Sequence, residues 1–151
     1  LGKNFKGNSG KRCNPIGGDN ILRLTTGPSG KIKIGNFVGV SNSTIHSDNS
    51  IIIEDGVLIG GGCKIWDTNF HSLDPDIRGT KKDKINAISA PILIKEKAFI
   101  GGGSIILKGV VIGVNSIVAA GSVVSKSIPD NEIWGGNPAK YIKKLDKKNL
   151  T

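Results

Sequence analysis

From Ile94 onward an aliphatic residue returns at every sixth position: Ile94, Ile100, Ile106, Ile112, Val118 and Val124. Four residues after each stands a small or β-branched one, at Ala98, Ser104, Val110, Ser116, Ser122 and Ile128. A period of six matches neither the 3.6-residue turn of a helix nor plain two-residue alternation. It suits a solenoid of very short strands joined by tight turns, in which three hexapeptides close a coil of about 18 residues. The aliphatic side chains then point into a narrow prism, and Gly or Asn at the corners accepts φ > 0.

A weaker register precedes this one at Ile53, Ile59 and Ile65, with Gly60 and Cys63 in the corresponding slots, and Ile34 and Val40 start an earlier one. The step from 40 to 53 is thirteen rather than twelve, so one corner holds an extra residue. The N-terminal end reads as ragged, since Leu1 to Ser29 offers only Ile21, Leu22 and Leu24 in strand-like order. Between Ile65 and Ile94 lie 28 residues where a continuous array needs five, so about 23 leave the prism as a loop over 67–91. Long excursions of this kind in compact domains are functional or mobile. After Pro129 the period stops, and Tyr141-Ile142-x-x-Leu145 predicts a short amphipathic C-terminal helix within a cap over 129–151.

Composition narrows the class. The 151 residues suffice for one domain with one core, here taken as 1–151. Glycine numbers 22 without a Gly-X-Y period and proline only 6, which excludes collagen-like and disordered chains. Ile and Val together number 32, against 7 aromatics and no Met, so the chain reads as all-β. The longest uncharged stretch, Gly109 to Ser125, is too polar for a bilayer helix, and no membrane span is expected. Cys13 and Cys63 form no C-x-x-C and have no histidines at zinc spacing, which favours the cytoplasm and no metal. The net charge of +9 gathers in 78–84 and 140–148 without interleaved aromatics, so nucleic acid is not an expected partner.

Three features combine with the array: Phe70-His71-Ser72 in the loop with Arg78 beyond it, Ala120-Gly121-Ser122-Val123-Val124-Ser125-Lys126, and Gly136-Asn137-Pro138-Ala139-Lys140. Together they resemble the hexapeptide-repeat acetyltransferases, above all the galactoside, maltose and surface-polysaccharide O-acetyltransferases. The resemblance implies a left-handed parallel β-helix assembled as a homotrimer, with acetyl-CoA as co-substrate in the groove between neighbouring subunits. It implies His71 as general base. It places Gly102 and Ala120 on the pantetheine channel, and Ser125 and Lys126 near the far end of the cofactor.

The chemistry also stands on the residues. A hydroxyl attacking a thioester must lose its proton, and imidazole is the side chain suited to take it at neutral pH. The run Gly101-Gly102-Gly103 can bring backbone N–H groups close to a developing oxyanion. Lys126 and Lys140 suit the phosphates of CoA, and Asp67 is a candidate to orient His71. His46, Asn42, Trp66 and Arg78 are the candidates for contact with a saccharide acceptor. The expected activity is O-acetylation of a sugar hydroxyl of a polysaccharide or its precursor. N-acetylation of an amino sugar and a non-catalytic β-helix scaffold remain open, whereas a β-helical carbonic anhydrase needs three histidines for zinc and the chain has two.

Overall fold

The computed structural model describes residues 1–10 and 20–146. Short strands stack from coil to coil into three sheets that form the faces of a prism. Face A carries β1 (Lys6–Asn8), β4 (Gly39–Ser41), β7 (Leu58–Ile59), β10 (Phe99–Ile100), β13 (Ile117–Val118), β15 (Glu132–Gly136) and β16 (Ala139–Lys144). Face B carries β2 (Arg23–Thr26), β5 (Thr44–Ser47), β8 (Lys64–Trp66), β11 (Ile105–Ile106) and β14 (Val123–Val124). Face C carries β3 (Lys31–Ile34), β6 (Ser50–Ile53), β9 (Ile92–Ile94) and β12 (Val111–Ile112). All neighbours within a face pair in parallel except β15 with β16, and the architecture is a left-handed parallel β-helix.

Both ladders of the hexapeptide pattern face inward. Ile94, Ile100, Ile106, Ile112, Val118 and Val124 are fully buried, and so are the small-slot residues Ala98, Ser104, Val110, Ser116, Ser122 and Ile128. Burying an aliphatic side chain of this size stabilises by roughly 1.5–3 kcal/mol, so the central column supplies the hydrophobic driving force. The buried serines stay satisfied by closing corners: Ser104 Oγ donates to the Gly101 carbonyl at 2.7 Å and Ser122 Oγ to that of Ala119 at 2.6 Å. At Gly101 the next coil comes so close that an added Cβ would lie 2.5 Å from the Ala120 nitrogen.

Phe99 pairs with Ile117, three hexapeptides further along, as one full coil requires. Leu58 also pairs with Phe99, although the entire excursion over 67–91 stands between them, so the loop is carried outside the coil without disturbing its register. The irregular N-terminal coils also become clear. Val40 to Ile45 is one residue short of a hexapeptide step, while Ile45 to Ile53 is two residues long, and the surplus sits at the corner Ser47-Asp48-Asn49 between faces B and C.

Two expectations change. The N-terminal end is not ragged: β1 and β2 pair in register with β4 and β5 as a further coil. Their residues are exposed, so no buried column announces them. The C-terminal helix is absent among the described residues, because β16 runs antiparallel to β15 as a hairpin over the end of the prism. A one-turn helix is a costly nucleus, whereas the last strand of face A offers unpaired backbone groups to any segment that can extend. Tyr141 packs edge-on against Trp134, ring centroids 6.5 Å apart, which fixes the strand in place.

Candidate active site

The loop departs from the prism directly after β8, and its exit is tied down by a buried carboxylate. Asp67 is 0% exposed and accepts three hydrogen bonds, from Ser47 Oγ (2.7 Å), Asp48 N (2.7 Å) and Asn49 N (3.0 Å). It therefore fills the oversized corner and joins it to the loop. Thr68 Oγ1 accepts the N–H of Phe70 at 3.1 Å, and Phe70 adopts φ 62°, a left-handed conformation uncommon for a bulky residue. The Phe70 ring sits 5.2 Å from that of His46 and 6.3 Å from that of Trp66.

The next residue, His71, is exposed, and its Nδ1 lies 2.8 Å from Asp83 Oδ2. Asp83 is buried at 4% exposure and is the hub of the loop: Ser72 N donates to Oδ1 at 2.6 Å and Gly79 N to Oδ2 at 2.8 Å. The bond from His71, followed by those from Ser72 and Gly79, holds its carboxyl down at about 2. Asp83 is thus ionised at neutral pH and can only accept, so Nδ1 of His71 is the donating nitrogen. Nε2 then keeps its lone pair, and it has no partner among the described residues. Arg78 closes the turn from the other side, donating from Nε to the Ser72 carbonyl (3.0 Å) and from Nη2 to that of Leu73 (3.1 Å).

The orienting carboxylate is therefore Asp83 and not Asp67, whose oxygens are committed to the corner at Ser47. Asp83 escapes a reading of the sequence because it stands within Lys81-Lys82-Asp83-Lys84, which looks like a solvated charge run. The one signal is that it is the sole acid in that run.

The other expected residues separate. Asn42, Gly102, Gly103, Ala120 and Gly121 belong to one column along the corner between faces A and B, linked by Gly62 N to Asn42 O, Gly103 N to Gly61 O and Gly121 N to Gly102 O. Gly101 and Gly103 donate their N–H groups to the carbonyls of Val118 and Gly61, so neither serves as the oxyanion donor expected of the glycine run. Asn42 is 1% exposed, with Nδ2 on the Gly10 carbonyl at 3.2 Å, and does not face the loop groove. Trp66 is half-buried behind Phe70, and Ser125, Lys126 and Lys140 are exposed toward the C-terminal end. His46 lines the groove under the loop, with Nδ1 2.8 Å from Thr25 Oγ1 and Nε2 3.2 Å from Asp48 Oδ1. No three His, Cys, Asp or Glu side chains converge as a metal site among the described residues.

A prism of short parallel strands stacked in hexapeptide coils places the chain among the hexapeptide-repeat β-helical proteins, and a histidine-bearing loop interrupts the array. No family model matches the chain. It is 36% identical over 107 residues to the galactoside O-acetyltransferase of Lactococcus lactis, covering 70% of this chain and 48% of that one. It superposes on the hexapeptide-repeat acetyltransferase of Vibrio cholerae with a TM-score of 0.76 at 29% identity, over 97% of this chain and 74% of the other. That neighbour has also been solved in complex with acetyl coenzyme A, with a TM-score of 0.71. A mitochondrial gamma carbonic anhydrase of Arabidopsis thaliana is 32% identical over 108 residues, covering 64% of this chain and 39% of the relative. The chain is similar to the hexapeptide-repeat acetyltransferases in sequence over about 70% of its length and in fold over nearly all of it. It spans about half the length of the curated relatives it matches.

Proposed function

We propose that residues 1–151 act as a single-domain, acetyl-CoA-dependent O-acetyltransferase on a sugar hydroxyl of a polysaccharide or its precursor. The His71–Asp83 pair carries the reading: an exposed imidazole with Nδ1 fixed by a buried, ionised carboxylate and Nε2 unengaged has the arrangement a general base requires. The acceptor hydroxyl attacks the thioester carbonyl carbon while Nε2 takes its proton. The C–S bond then breaks, and the leaving thiolate receives that proton from the imidazolium, whose charge Asp83 offsets without itself being protonated. The relatives' names and the acetyl coenzyme A complex of the Vibrio neighbour support acetyl as the acyl group and sugar as the acceptor class. Gly102, Gly103 and Ala120 along one corner, with Ser125, Lys126 and Lys140 beyond, are the proposed cofactor contacts, and His46 is the proposed acceptor contact.

In this reading the protein assembles as a homotrimer and works in the cytoplasm, where acetyl-CoA is available and the buried Cys63 thiol stays reduced. No helix among the described residues is long and apolar enough to cross a membrane. The test is thiol release from acetyl-CoA by the full chain across a panel of saccharides and amino sugars, with His71→Ala alongside. His71→Ala lowers kcat by about 10²-fold or more and leaves CoA affinity unchanged, since the base acts only as the proton moves. Near-normal turnover by this variant removes His71 from the mechanism.

A further inference from the structure

Beneath the loop runs an open groove of about 1080 Å³ that His71 does not line. One wall belongs to the prism: the turn at Gly27, Pro28 and Ser29, then Lys31 and the corner from His46 to Ser50. The other wall is the loop itself, with Thr68 and Phe70 at its exit and Lys84, Ile85, Ala87 and Ser89 on its return. Pockets for a compact small molecule run to about 300–1,000 Å³, so a single sugar ring would leave most of this groove filled with water. Its volume leaves room for more than one linked ring.

Two further features give the occupant a chemistry. Phe70 is 41% exposed and is held in its left-handed conformation against His46, which offers an aromatic face to the apolar face of a pyranose. Lys31 and Lys84 stand one on each wall, and neither has a carboxylate partner among the described residues. The one acid lining the groove, Asp48, already faces His46 at 3.2 Å. The groove is therefore net positive, polar along its corners and aromatic where it meets the residue next to the proposed base. Phe70 precedes His71 directly in the chain, which puts this end of the groove beside the loop segment that carries the proposed base.

We infer that this groove is an acceptor subsite for an anionic oligosaccharide, one ring stacked on Phe70 and the negative groups, carboxylate or phosphate, held by Lys31 and Lys84. The inference deepens the acetyl-transfer reading by naming the acceptor class, but binding in the groove is independent of turnover. The test is calorimetric titration of the full chain, without acetyl-CoA, with tetragalacturonate, UDP-galactose, maltotetraose and galactose. Tetragalacturonate binds more tightly than maltotetraose, by up to about 25-fold, because each exposed lysine contributes up to about fivefold at moderate salt. Lys31→Gln combined with Lys84→Gln removes that preference, and since both side chains are exposed the melting temperature serves as a control that folding is kept. Phe70→Ala weakens the acidic and neutral tetrasaccharides alike. Lysine-dependent binding of UDP-galactose without binding of tetragalacturonate overturns the oligosaccharide inference and assigns the groove to a phosphate-bearing sugar. Equal affinity for the acidic and neutral tetrasaccharides, or a preference that survives loss of both lysines, overturns the inference while leaving acetyl transfer to neutral sugars intact. Lysine-dependent binding with no thiol release from acetyl-CoA on any saccharide overturns the transferase reading and leaves the subsite standing.

Discussion

At the scale of single residues, the site depends on which tautomer His71 adopts, and Asp83 decides it. Asp83→Asn replaces an obligate acceptor with an amide that can turn its NH2 toward Nδ1, which transfers the proton to Nε2 and blocks base catalysis. The expected result is a fall in kcat of about 10²-fold with KM for acetyl-CoA unchanged; a change in KM alone would mean a merely structural role. The carboxyl's folded value lies near 2 instead of the ordinary 3.8, so its stabilisation of the loop is complete above the ordinary value and is lost as pH falls through about 2. A carbon-13 titration of the Asp83 carboxyl should place its midpoint near 2, and a midpoint close to 4 would show that the hydrogen bonds from His71, Ser72 and Gly79 are not formed in solution. His46 resembles His71 in having a carboxylate neighbour, yet both of its ring nitrogens face partners, Thr25 and Asp48. That difference separates the proposed base from a groove wall.

At the scale of elements, the loop and the prism meet at Asp67. Removing its carboxylate by Asp67→Ala leaves the N–H groups of Asp48 and Asn49 and the hydroxyl of Ser47 without their acceptor. Bonds to a charged group are worth roughly 1.5–3 kcal/mol each and do not add fully, so a loss of about 3 kcal/mol is expected in urea unfolding. A loss below about 1 kcal/mol would show that the corner holds without its plug. The same junction shows where a sequence can be read and where it cannot. From Ile92 to Ile128 every coil is built of three hexapeptides, each with one aliphatic and one small or β-branched residue facing inward, and position in the sequence translates directly into position on the prism. The 40-to-53 step betrayed only the net excess of one residue, since a one-residue deficit at one corner and a two-residue surplus at the next nearly cancel. The first coil was illegible because β1 and β2 bury little of their own side chains, and the terminal hairpin because three apolar residues at helical spacing do not reveal an open sheet edge nearby. His71 was legible as a lone imidazole in a long excursion. Asp83 was hidden by the lysines around it, and its burial and its three donors arise only when the loop folds back on itself.

At the scale of the whole molecule, the outer surface of the prism is uneven, and this bears on assembly. Residues outside the core occupy matching positions in successive coils, so each face carries columns of outward side chains. On face A one such column runs Gly39, Leu58, Phe99, Ile117 and Ile133 in register, and Leu58 and Phe99 are 54% and 44% exposed. Phe37, 65% exposed and held at φ 56°, stands beside it over a shallow hollow of about 440 Å³ lined by Val38, Gly39 and Leu58. The matching column on face B is Arg23, Thr44, Lys64, Ile105 and Val123, polar over its first three coils. Of the outward-facing residues Ile105, Val111, Ile117 and Val123 in the regular coils, only Ile117 belongs to the face A column; the others lie half-buried on faces B and C. An apolar column of this length is the kind of surface that assembly covers, closed symmetry being the ordinary way, and it supports the proposed homotrimer. Light scattering on the full chain should give about three protomers at micromolar concentration. Leu58→Lys combined with Phe99→Lys should shift it to one protomer without unfolding it, because both side chains project away from the core. The separated chains should also lose acetyl transfer if the cofactor lies between neighbours, while keeping their affinity for saccharides in the groove under each loop. A wild-type monomer, or a double variant that stays trimeric, would place the contact elsewhere and remove face A as the partner of the shared cofactor groove.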